Sequence, residues 1–85
     1  MAVKTRAKGL DEYLLAIEGI IELGTTVHHI YTIEERPDLK KSFDNLIFVS
    51  ARTHNKIHTE YNLGEKERRQ LQAKLIDIRQ GNRRR

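Results

Sequence analysis

The sequence predicts a small α+β domain: two short strands and a helix, flanked by further helices on the N- and C-terminal sides. Three observations carry this. The runs Thr25-Thr26-Val27-His28-His29-Ile30 and Leu46-Ile47-Phe48-Val49 are β-branched or apolar enough to be strands. Two longer stretches space their apolar residues at helical steps, Leu10, Tyr13, Leu14, Ile17, Ile20 and Ile21, and later Leu71, Leu75 and Ile78. A chain of 85 residues with 38% hydrophobic content supports one domain with a modest core.

Taken in order, residues 1–8 are polar and read as a disordered head. The stripe between Gly9 and Leu23 predicts a helix ending near Gly19, with Ile20-Ile21-Glu22-Leu23 as its continuation or a short strand. Gly24 punctuates, and the first strand runs into the two histidines. Residues 31–44 form a polar loop around Pro37, long enough to be functional or locally helical. Leu46 to Val49 suits a buried second strand. Ser50 is placed to cap a helix over Ala51–Tyr61, with Asn62 and Gly64 as its stop. A last helix spans about 65–80, and Gly81 ends it. The strand–loop–strand–helix core thus occupies about 24–62.

Composition excludes several classes. With no Cys there are no disulfides and no thiolate zinc sites. No apolar run approaches the roughly 20 residues of a membrane span, and Met1-Ala2-Val3-Lys4 lacks a signal-peptide core, so the expected location is cytoplasmic, away from membranes. The net charge of +4 is compatible with a polyanionic partner. Lys4, Arg6 and Lys8 make a basic head; Arg79, Arg83, Arg84 and Arg85 make a basic tail. Each is either a phosphate-binding patch or a solvated terminus.

All four histidines fall between Val27 and His58, in two pairs with Asn45 between them. His54 and His58 are spaced i, i+4, so on a helix both rings leave one face a turn apart, a spacing that suits two ligands of one metal ion. His28 and His29 are adjacent, so on a strand their rings point to opposite sides and do different jobs.

His-His, then Asn, then His-x-x-x-His at these separations resembles the HNH endonucleases, in particular the colicin-type and small phage-type members, over roughly Gly24 to Tyr61. The resemblance implies a ββα-metal (His-Me finger) core in a bacterial or phage-encoded protein. It implies hydrolysis of DNA phosphodiester bonds to a 5′-phosphate and a 3′-hydroxyl, with one divalent metal ion. By position, His28, His54 and His58 match the metal ligands and His29 the general base; Asn45 matches the Asn that ties down the inter-strand loop and so orients the base. A His of ordinary pKa suits a base at neutral pH, and an Asn can donate and accept together across a turn. Imidazole ligands favour zinc, nickel, cobalt or copper, while manganese or magnesium could be the working ion. Arg52 and Lys56, beside the ligand helix, are candidate phosphate contacts by proximity and charge, and Arg83, Arg84 and Arg85 join them as candidates in the tail.

One departure is informative. Phage-type relatives often carry two Cys-x-x-Cys pairs as a structural zinc knuckle. Here the second pair's positions hold Ser50 and Thr53, so the knuckle is missing and the segment Leu10 to Leu23 is expected to pack in its place. The rival reading makes all four histidines ligands of one structural zinc in a noncatalytic nucleic-acid-binding module; a degenerate family member acting as an interaction protein is a third. Tyr31, Phe48 and Tyr61 read as packing residues, and Glu34 and Glu35 as solvated ones, unless one of these acids orients His29. With no separate sequence-reading domain in view, specificity is low or supplied by a partner protein.

Overall fold

The computed structural model describes residues 2–80. The chain is α+β, as its patterning predicts, and its order is α1 (Ala2–Ala7), α2 (Glu12–Glu18), β1 (Thr26–His29), β2 (Leu46–Val49), α3 (Ala51–Tyr61) and α4 (Glu65–Arg79), with 3-10 turns at Pro37–Leu39 and Phe43–Asn45. The strands form one antiparallel ladder in which Thr26 faces Val49, Val27 faces Phe48, His28 faces Ile47 and His29 faces Leu46. The loop between them closes on itself through the two 3-10 turns. The strand bounds of β2 and the helix bounds of α3 agree with the sequence reading.

Strand alternation divides the side chains between two faces. On one face Ile47 and Val49 meet Tyr13 and Leu14 of α2, Ile57 and Tyr61 of α3, and Leu71, Leu75 and Ile78 of α4, which together form the main core with Ile30. On the other face Phe48 packs against Val3 and Ala7 of α1. The N-terminal segment is therefore a helix with a buried face, where a disordered head was expected. Two apolar residues at i, i+4 suffice because the sheet offers Phe48 to cover them. α2 ends near Gly19, as the spacing predicts, but it starts after Leu10. The helix begins at Glu12 and closes at Gly19, a left-handed C-cap with φ 67°, so Ile20 and Ile21 fall outside it. Ile17 (45%) and Ile21 (76%) are exposed, and the short-strand alternative for residues 20–23 reduces to a single bridge between Leu10 and Leu23.

A fully buried carboxylate joins the two halves. Asp11 accepts from the Leu14 amide at 2.7 Å, capping α2, and from the Ser50 amide at 2.7 Å. Ser50 is in turn the N-cap of α3, accepting from the Thr53 amide. Where a zinc knuckle would use Ser50 and Thr53 as cysteines, these residues form a hydrogen-bonded cap tied to the α2 segment. Arg6 and Glu12 reinforce this junction: Arg6 donates to Glu12 and to the Leu46 carbonyl, and Glu12 accepts from the Phe48 amide.

Candidate metal centre

On α3 the residues Thr53, Ile57 and Tyr61 are buried at successive turns. His54 and His58 each follow one of them by one position, so both rings lie on the flank of the buried stripe and face β1. His28 points the same way from the sheet, 3% exposed, because alternation puts it on the core face with Ile47 as its cross-strand neighbour. The three rings surround one point. Their centroids are 4.4 Å apart for His54–His58, 5.3 Å for His28–His54 and 5.7 Å for His28–His58, and no pair is stacked. One nitrogen from each falls within 4.8 Å of the others.

The donor set fits a metal ion. Two imidazole nitrogens on a tetrahedral zinc stand about 3.3 Å apart, and the Nε2 atoms of His54 and His58 are already 3.0 Å apart. A purely imidazole set suits zinc, nickel, cobalt or copper. Burial, and then the neighbouring His54, His58 and His29, push the pKa of His28 down to about 3, and burial followed by His58 lowers that of His54. Both rings are therefore neutral at neutral pH, the form that ligates. His58 is exposed, so the cluster opens to solvent on one side, the arrangement of a site that keeps a coordination position for water or substrate.

His29 is not a member of the cluster. Its Nε2 lies 3.1 Å from the Lys40 carbonyl, which can only accept, so Nε2 carries the hydrogen and Nδ1 the free lone pair. It nevertheless lines the same open cavity of about 250 Å³ as the three clustered histidines, with Thr32, Ile33 and Glu34 at the rim. Asn45 is buried at 2% exposure and clamps the loop: its Oδ1 accepts from the Tyr31 amide at 2.8 Å, and its Nδ2 donates to the Tyr31 carbonyl at 2.9 Å and the Leu39 carbonyl at 3.4 Å. Leu39 immediately precedes the residue that holds His29, so Asn45 orients that ring indirectly.

The cations proposed for phosphate stand differently. Arg52 is paired with Glu22 at 2.9 Å, and Lys56 lies 3.9 Å from Glu18 and over the Tyr13 ring. Both would have to exchange a carboxylate for a phosphate. Arg6 and Arg79 are likewise committed, Arg79 to the side chain and carbonyl of Asp44. Arg83, Arg84 and Arg85, and the stop at Gly81, lie outside the described residues.

Glu35, read from sequence as solvated, is instead the centre of a polar network that does not include His29. It accepts from the Thr32 amide, from Gln72 and from Arg68 at 2.8 Å. Burial alone would raise its pKa; the bonds from Arg68, the Thr32 amide and Gln72 outweigh that and hold it at about 2. Gln72 and the Tyr61 hydroxyl, both buried, were also missed as polar participants. The available signal was a Gln inside the apolar stripe Leu71–Leu75 of a helix, where a buried amide requires partners.

No protein-family model matches the chain, and neither a curated protein nor a solved structure matches it. Among the described residues, no helix is long and apolar enough to cross a membrane.

Proposed function

We propose that this chain is a metal-dependent endonuclease of the HNH kind, hydrolysing phosphodiester bonds in DNA. The observation that carries the reading is the division of labour among the four histidines. Three converge on one point, while the fourth lines the same cavity but is held away from them with its Nδ1 lone pair free. A four-histidine structural site would need His29 in the cluster. His28, His54 and His58 would hold one divalent ion, whose charge, when bound, opposes that of the phosphate oxygens and of the departing 3′-oxygen.

The chain's own residues supply the rest. His29 takes the proton of the attacking water at Nδ1, and the Lys40 carbonyl stabilises the charge that then appears on its ring. Asn45 keeps that carbonyl in place through the Leu39–Tyr31 clamp. Exposed Arg52 and Lys56, on the same helix as His54 and His58, can turn toward the DNA backbone once a phosphate competes for Glu22 and Glu18.

Two substitutions test this against the structural-zinc module. His29→Ala should retain metal and fold while plasmid cleavage falls about 10²–10⁴-fold. His54→Ala should lose metal affinity and with it the cleavage. Purified protein assayed with several divalent ions and an EDTA control gives both readings. Loss of metal from His29→Ala as severe as from His54→Ala would refute the nuclease.

A further inference from the structure

Tyr61 and Gln72 are buried polar side chains that the hydrolytic reading leaves without a task. They meet at the carbonyl of Ile30, with Tyr61 Oη at 2.6 Å and Gln72 Nε2 at 3.1 Å. A carbonyl only accepts, so the phenolic hydrogen is committed to Ile30. Tyr61 Oη is also 3.2 Å from His28 Nε2. Having no second hydrogen, it can only accept there. The ring nitrogen must therefore be the donor: His28 carries its hydrogen on Nε2 and its lone pair on Nδ1.

We infer that Tyr61 is a positioning residue for metal binding: braced by the Ile30 carbonyl, it fixes His28 in its Nε2–H tautomer and makes Nδ1 the ligand atom. The inference rests on the metal-centre reading above, not on the reaction. A ligating imidazole keeps one N–H, and that N–H needs an acceptor. His54 is half-buried and His58 exposed, so water can serve their second nitrogens. His28 is buried, and Tyr61 is the partner it has. The brace extends into α4, because Gln72 donates to Glu35 at 3.0 Å as well as to Ile30, and Glu35 is held by Arg68. Helix α4 contributes no ligand to the cluster, yet through Ile30 it sets the position of the phenol.

The test has two arms. Long-range ¹H–¹⁵N spectra of metal-free wild-type protein, labelled at histidine, read the tautomer directly; the expected result is a hydrogen on Nε2 of His28. Cobalt(II) affinity is then measured by chelator competition for wild type and Tyr61→Phe, at a temperature where both are folded. The phenylalanine keeps the ring in the core and removes the hydroxyl, and with it both the acceptor for His28 and the bond donated to Ile30. Loss of such a partner typically weakens metal binding about 10–100-fold, and that is the expected shift. Wild-type protein with its hydrogen on Nδ1, or Tyr61→Phe binding cobalt as wild type does, would overturn the inference alone. Wild-type protein that takes up no cobalt would overturn it together with the metal centre. The tautomer arm needs no variant, so a misfolded Tyr61→Phe cannot shelter the inference.

Discussion

Truncation of Asn45 separates loop order from metal binding. The side chain is 2% exposed, and two of its three hydrogen bonds, those to the Tyr31 amide and carbonyl, are 2.8 and 2.9 Å long. Net contributions of about 0.5–1.5 kcal/mol per bond, with a further cost for backbone groups left unpaired, put Asn45→Ala at about 2–3 kcal/mol of lost stability. A chain of this length has a total of roughly 4–13 kcal/mol, so the loss is large but survivable. The third bond, to Leu39, adjoins the carbonyl that holds His29. Cleavage should therefore fall even where the variant is fully folded. None of His28, His54 and His58 is bonded to Asn45, so metal affinity should hold. Urea denaturation, chelator competition and plasmid cleavage measure the three quantities on one preparation. Asn45→Asp keeps an acceptor for the Tyr31 amide but removes both donations, and should do no better than Ala. A variant with less than about 0.5 kcal/mol of destabilisation and undiminished cleavage would refute the clamp.

Other outcomes follow from the buried polar groups. In chelator, stability should be level above pH 6.5 and fall below it by up to about 1.4 kcal/mol per pH unit, because the unfolded chain protonates His28 near 6.5 and the folded chain only near 3; denaturation midpoints unchanged between pH 7 and 5 would contradict this. Glu35→Gln should cost about 1.5–3 kcal/mol by weakening the bonds from Arg68 and Gln72, with the loss fully present above pH 4.5 and fading as pH falls toward 2; urea melts at pH 7 and 3 compare the two regimes. Asp11→Ala leaves the buried Leu14 and Ser50 amides without their acceptor and should cost about 2–4 kcal/mol, and loss of the α3 cap should appear as faster amide exchange at Thr53.

The legible parts of the fold are those whose signals are local. β2 and α3 can be bounded to the residue because an apolar run, a capping Ser50 and a helix stop lie within a few positions of one another. The clustered histidines follow from i, i+4 spacing on α3 and alternation on β1, both intrinsic to the backbone. What escapes is decided by distant partners. Val3 and Ala7 look like scattered apolar residues until Phe48 is known to face them. Glu35 looks solvated until α4 brings Arg68 and Gln72 across. The exposure of Ile17 and Ile21 is of another kind: Ile21 lies past the Gly19 cap and leaves the stripe, while Ile17 sits in the last turn of α2, beyond its buried residues Tyr13 and Leu14.

The Asp11–Ser50 bond has a bearing on synthesis. Its partners are 39 residues apart, and Arg6 reaches the Leu46 carbonyl over 40. Contacts of such separation form late, because a long loop must close before they repay its entropy. On a ribosome the first two helices emerge with nothing to dock on until β2 and the start of α3 have followed. The histidine cluster waits for His58, and the Ile30 carbonyl waits for Gln72, near the end of the described chain. A growing polypeptide thus carries every histidine of the cluster well before it holds them in place. If the protein cuts DNA, its maker is exposed to that activity only after Gln72 has left the ribosome.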